Sequence, residues 1–172
     1  MLLSEINNEE LMTSAKQKTE PETKQELVEI ESRFGKINVD KAKSIFFPNG
    51  IYGFPENLHF ALANFPNSNL SQFSILQCLN DYSISFPVLP SGFENSLIED
   101  TDMEICLQEV EVEKENFAML FILSSQKDET GGFSLFANTK APIIIDTSKK
   151  LAIQYVFNNN KYSLKQHISQ NG

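Results

Sequence analysis

Beyond Phe34, apolar and polar residues alternate with period two through much of the chain. Ile37 and Val39 alternate with Lys36, Asn38 and Asp40, and Ile45-Phe46-Phe47 runs into Pro48. Leu58, Phe60 and Leu62 alternate with His59, Ala61 and Ala63, and Phe73, Ile75 and Gln77 alternate with Ser74, Leu76 and Cys78. Such alternation marks strands with one buried face. Further strands are predicted over 83–89, 117–124, 133–138, 142–146, 151–157 and 161–166. Turn-forming residues separate them at Asn49-Gly50, Pro66-Asn67, Ser91-Gly92, Gly131-Gly132 and Asn158-Asn159-Asn160. Many short strands at close spacing predict a mainly all-β fold, a small antiparallel β-barrel or sandwich.

Two segments break this pattern. Met103, Cys106, Leu107 and Val110 recur at helical spacing behind Thr101, with Glu104 three residues after it in the capping-box arrangement. A short helix is predicted over 102–110, with Cys106 a small buried hydrophobe on its apolar face. Residues 1–31 hold eight Glu against Lys16, Lys18 and Lys24, have no aromatic residue and contain few large apolar ones. Such a segment buries too little surface to offset its own ordering entropy. A disordered acidic N-terminal tail over 1–31 and a folded domain over 32–172 are therefore expected, with transient helix around Leu2 to Met12.

Composition narrows the function classes. The chain has 172 residues, 41% hydrophobic and 22% charged, enough for one domain with a real core. No apolar run approaches the ~20 residues of a membrane helix, and the opening MLLSEINNEE has no basic leader, which makes a cytoplasmic location the default. Cys78 and Cys106 are then reduced thiols, without the C-x-x-C spacing of a zinc site. The formal net charge is -9 and Arg33 is the one arginine, a poor provision for gripping phosphates or guanine edges. Direct nucleic-acid binding is not expected, whereas long-range attraction favours a basic protein partner.

No catalytic constellation is present in the sequence. His59 and His167 lie far apart, and no G-x-S-x-G elbow, G-x-x-x-x-G-K loop or G-x-G-x-x-G occurs. Carboxylates are many, but none has an apolar context that would raise its pKa for acid–base work. No catalytic residue, metal site or cofactor is assigned. The run Glu109, Glu111, Glu113 and Glu115 reads either as a solvated face or as an acidic strip for a basic partner.

Three blocks carry a resemblance. Phe47-Pro48-Asn49-Gly50-Ile51-Tyr52-Gly53-Phe54 follows an F-x-x-G-(I/L)-x-G-F pattern behind Ile45. Phe73-Ser74-Ile75-Leu76-Gln77-Cys78 follows F-x-x-L-Q-S, with Cys78 replacing Ser. Asn138-Thr139-Lys140-Ala141-Pro142-Ile143-Ile144-Ile145-Asp146 follows N-L-x-A-P-I-x-(I/L)-(N/D), with Gln154 and Tyr162 downstream. In these blocks, from about Phe34 to His167, the chain resembles the FliW family of bacterial flagellar assembly factors. It departs from the family at Ala152-Ile153, where Gly and a basic residue are usual, and at Lys165-Gln166-His167, where the family ends R-H-P.

The resemblance implies a non-enzymatic protein-binding regulator on a small β-barrel. Family members bind flagellin before its export and bind CsrA, the RNA-binding repressor of flagellin translation, so that flagellin level is coupled to its own synthesis. The residues it nominates for partner contact are Ile51, Tyr52, Phe54, Asn138, Ala141 and Pro142, with an apolar groove for an amphipathic flagellin helix. Glu109, Glu111, Glu113 and Glu115 are the candidates for the basic partner. The alternative is a small-ligand, flavin-type β-barrel, which needs phosphate-clamping groups that Arg33 alone supplies poorly. A structural β-module is a third reading.

Overall fold

The computed structural model describes residues 25–92 and 96–168. The expected tail over residues 1–24 lies outside them. Its predicted end at residue 31 is corrected, because Leu27–Ser32 forms strand β1, which pairs antiparallel with β2, Gly35–Asp40, from Leu27↔Asp40 to Ser32↔Gly35. The signal in this stretch is a half-pattern: Ile30 and Ser32 point inward while Glu29 and Glu31 stay exposed. The glutamates that argued for disorder line the outer face of a strand. Ile30, Ile37 and Val39 then pack on Ala61, Ala63 and Ile75 of the main sheet.

That sheet closes on itself. β3 (Ile45–Phe46), β4 (His59–Asn64), β5 (Ser74–Cys78), β6 (Ser85–Ser91) and β7 (Phe117–Lys127) follow one another as antiparallel neighbours from β3 to β7. Strand β7 is long enough to serve two partners. Its second half, Leu123–Lys127, pairs with β8 (Phe133–Ala137), and its first half, Phe117–Leu120, pairs with β9 (Ile143–Asp146). β9 pairs in turn with β10 (Leu151–Gln154), and β10 meets β3 in parallel at Leu151↔Phe46. The ring β3-β4-β5-β6-β7-β9-β10 is barrel-like, closed between β10 and β3 through the Leu151↔Phe46 pair. β8 and the short strand β11 (Gln166–Ile168) extend it as a wing.

Two hydrophobic clusters share the β7 and β9 strands. Leu120, Ile143 and Ile145 face the barrel interior with Phe47, Phe60, Leu76 and Val88. Met119, Phe121 and Ile144 face the other way, under Met103, Cys106 and Leu107 of the helix α1 (Asp100–Val110). Both faces of β9 are covered, which is why Ile143-Ile144-Ile145 reads as a continuous apolar run and not as an alternation.

The helix is confirmed with a different start. Thr101 is inside it, the N-cap position is Glu99, and no side chain caps the first turn. Tyr162 compensates, accepting from the Glu99 N–H at 3.1 Å and donating to Asp102 at 2.6 Å. Asp100 and Asp102 also suit the positive end of the helix dipole. The predicted strand over 161–166 is corrected as well. Strand pairing begins only at Gln166, because the Ser163 carbonyl accepts instead from the Thr139 and Lys140 N–H groups.

Candidate functional site

The turn between β3 and β4 is built by its glycines. Phe47 anchors it, fully buried with its ring 4.9 Å from that of Phe60. Gly50 has φ 63°, and a Cβ there would lie 2.3 Å from the Phe54 carbonyl oxygen. No other residue fits. The chain then folds into a miniature hairpin in which Ile51 and Phe54 exchange backbone hydrogen bonds of 3.4 and 2.7 Å. Tyr52-Gly53 forms its tip, with Gly53 at φ 88°.

This geometry sorts the nominated contact residues. Ile51 points into the barrel and is 2% exposed, whereas Tyr52 points out and is 69% exposed. Phe54 is half-buried, its ring edge-on to Phe86 at 5.3 Å. Ala141 and Pro142 are buried too. Asn138 is half-buried and its side chain accepts from the Ala141 N–H at 2.9 Å, shaping the turn before β9. Ile51, Ala141 and Pro142 are therefore buried in the wall, and Tyr52 is the exposed member of the set.

A residue the sequence reading did not nominate joins these blocks. Gln154, at the end of β10, accepts from the Tyr52 N–H at 2.9 Å and donates from Nε2 to the Ala141 carbonyl at 3.0 Å. The motif position of Gln154 was visible in the sequence, but its long-range partner 102 residues away was not. Together with Asn49, Pro55 and Ile153, the turn and Gln154 line a groove of about 540 Å³. Its lining includes no Asp, Glu, Lys, Arg or His.

A second groove, of about 430 Å³, opens at the C-terminal end of α1. Leu107 and Val112 line it with Glu104, Glu111 and Glu113, and Lys114 also contributes. The helix ends on Glu111 in the left-handed conformation at φ 55°, with no basic residue in its last turn, so the negative end of the dipole adds to the carboxylates. The predicted acidic strip is thus divided. Glu111 and Glu113 flank this groove, whereas Glu109 is outside its lining and accepts a hydrogen bond from Tyr155 at 2.5 Å. Glu115 is exposed in the 3-10 turn before β7.

Around the other end of α1 the charges are paired. Lys161 bridges Glu99 at 2.7 Å and Asp102 at 3.1 Å, and both contacts raise its pKa. The Tyr162 hydroxyl and Lys161 hold the Asp102 carboxyl below its ordinary value. Burial raises the Cys106 thiol to about 12, with Glu109 adding to the shift, which keeps it an unreactive core group. Arg33 stacks over Phe34, 4.7 Å from the ring centre. Among the described residues no group of three or more His, Cys, Asp or Glu side chains is placed to hold a metal ion. No helix among them is long and apolar enough to cross a membrane.

Comparison with known proteins agrees with the motif blocks. The family model described as FliW protein matches residues 29–168. The chain belongs to the FliW family. It is 31% identical over 136 residues to the flagellar assembly factor FliW of Thermoanaerobacter pseudethanolicus, covering 78% of this chain and 88% of that one. The protein of the same name from Oceanobacillus iheyensis is 28% identical over 143 residues, covering 82% and 94%. A crystal structure of the flagellar assembly factor FliW superposes with a TM-score of 0.58 at 24% identity, over 81% of this chain and 96% of that one, which supports the fold. FliW membership explains why the turn, the Gln77 strand and the Ala141-Pro142 block occur together. Two of them meet at Gln154. The buried Gln77 of the second instead donates to the Cys78, Tyr82 and Ile84 carbonyls and holds the β5–β6 connection.

Proposed function

We propose that this chain is a cytoplasmic, non-enzymatic partner-switching regulator of flagellar assembly, which binds flagellin and antagonises CsrA. The observation that carries the reading is the uncharged groove beside the family turn, lined by the exposed Tyr52 and the buried Ile51 together with Pro55, Ile153 and Gln154. A groove of this kind suits the apolar stripe of an amphipathic flagellin helix. The acidic groove at the end of α1 suits a basic protein such as CsrA, through Glu111 and Glu113. RNA need not be touched for this mechanism, and the acidic balance disfavours it. Co-purification and calorimetry with flagellin and, separately, with CsrA test the reading. Binding of either tighter than roughly 10 µM, about -7 kcal/mol, supports it. Failure of both overturns it.

A further inference from the structure

We propose that Gln154 is a positioning residue of the uncharged groove, whose side-chain amide sets where Tyr52 stands and thereby how well the groove binds. This inference rests on the flagellin-binding reading given above. A carboxamide offers an acceptor at one end and a donor at the other, and Gln154 uses both: Oε1 takes the Tyr52 N–H and Nε2 reaches the Ala141 carbonyl. The two bonds link the β3–β4 turn, through Gln154 in the groove's lining, to the segment before β9. Glu at this position keeps the acceptor for Tyr52 but sets an oxygen against the Ala141 carbonyl. Leu keeps the approximate bulk and offers neither bond.

The Tyr52-Gly53 tip needs such a tether. The backbone bonds of the miniature hairpin end at Ile51 and Phe54, below the tip. Gly53 meets no atom within 4 Å of where its Cβ would stand, so packing does not hold the tip from that side. The Tyr52 ring is itself largely exposed. Gln154 is half-buried in β10 and pairs with Ile143 of β9, so it projects from the main sheet and not from the turn itself. Two hydrogen bonds at a half-buried position add a modest share to the stability of the domain, and they also decide between one placement of Tyr52 and several. The role is therefore one of shape.

The test uses the full chain and its Gln154→Leu, Gln154→Glu and Tyr52→Ala variants. Hydrogen exchange of the Tyr52 amide, read by NMR, reports the tether in the free protein. Calorimetry with purified flagellin reports the groove. The expected result is a slowly exchanging Tyr52 amide in the parent that exchanges faster in Gln154→Leu, with the fold retained and the thermal midpoint lowered only modestly. Flagellin binding should weaken by about fivefold or more in both Gln154 variants, the factor that one ordinary hydrogen bond is worth. Unchanged exchange in Gln154→Leu, or parent-like flagellin affinity in both Gln154 variants, overturns the proposal. A broad loss of folding in both variants overturns it too, since Gln154 is then a structural residue. If the parent itself does not bind flagellin, the flagellin-binding part of the functional reading fails, while the amide measurement still decides whether Gln154 positions Tyr52.

Discussion

The Tyr155 hydroxyl donates a 2.5 Å hydrogen bond to Glu109 Oε2 and so ties the exit of β10 to the outer side of α1. Burial, and then the bond to Glu109, raise the pKa of this phenol, so it remains a donor throughout the physiological range. Tyr155 also stacks edge-on to Phe157 at 5.0 Å, and Phe157 lies 4.6 Å from Tyr162. The helix rests on this aromatic row. Tyr155→Phe keeps the ring and deletes only the hydroxyl. A loss of about 1 kcal/mol in urea denaturation is expected, the ordinary worth of one hydrogen bond.

The two glycines of the family turn should respond differently to alanine. At Gly50 the new Cβ meets backbone at 2.3 Å in the left-handed region, and backbone cannot swing aside. At Gly53 the backbone is also left-handed, but the space is open. Gly53→Ala is expected to cost about 1–2 kcal/mol, the conformational penalty alone. Gly50→Ala should cost distinctly more, and urea midpoints of the two variants measure the difference. Equal losses would mean that the turn relaxes around Gly50.

Ile51 and Tyr52 are adjacent in sequence and opposite in consequence. Ile51→Ala empties a buried position in the barrel core and is expected to cost about 2–5 kcal/mol. Tyr52→Ala removes an exposed ring and should leave stability within about 0.5 kcal/mol of the parent. Flagellin binding should behave in the reverse order, with Tyr52→Ala weakened in a fully folded protein. Thermal denaturation and calorimetry on the same two preparations separate the effects.

Much of this was legible in the sequence, and the misses have physical causes. Alternation located β2, β4 and β5, where one face of each strand is wet or differently packed, while β9 showed itself as an unbroken apolar run. It missed β1, where Glu29 and Glu31 on the outer face resembled a disordered acidic tail. It placed the last strand too early, because Tyr162 and Ser163 carry strand-like composition but spend their polar groups on α1 and on Thr139. The motif blocks identified the family, yet apolar motif residues such as Ile51, Ala141 and Pro142 proved to be wall. Gln154 was noticed as a motif position only, since a hydrogen bond across 102 residues leaves no local pattern.

The β9–β10 connection predicts an acid-sensitive stability term. Asp146 Oδ1 accepts from the Ser148 hydroxyl at 2.6 Å, the Ser148 N–H at 3.0 Å and the Lys149 N–H at 3.1 Å. Lys149 Nζ lies 2.9 Å from Oδ2. These partners, the Ser148 hydroxyl foremost, hold the carboxyl at about 2 against an ordinary 3.8. The unfolded chain therefore takes up the proton first as pH falls. The stabilisation is complete above the ordinary value and is lost as pH drops through about 2. Urea midpoints of Asp146→Asn should show a shallower fall from pH 5 to pH 2 than those of the parent. Parallel profiles would exclude Asp146 as a contributor.

The two grooves differ in charge, and salt should tell their partners apart. The groove at Tyr52 is lined without Asp, Glu, Lys, Arg or His, so flagellin binding there should change little as ionic strength rises. The groove at the end of α1 has Glu104, Glu111 and Glu113 against Lys114, and CsrA binding there should weaken markedly over the same series. Glu111 and Glu113 also reach beyond the groove: the Lys149 pKa is raised first by its contact with Asp146 and then by these two carboxylates. Removing one carboxylate should therefore matter most at Glu113 or Glu111. Glu109→Gln should matter less, since that group lies outside the groove's lining and already accepts from Tyr155. Calorimetry from low to high salt on the parent, Glu109→Gln and Glu113→Gln checks both statements. A steep salt dependence for flagellin with none for CsrA would reverse the assignment of partners to grooves.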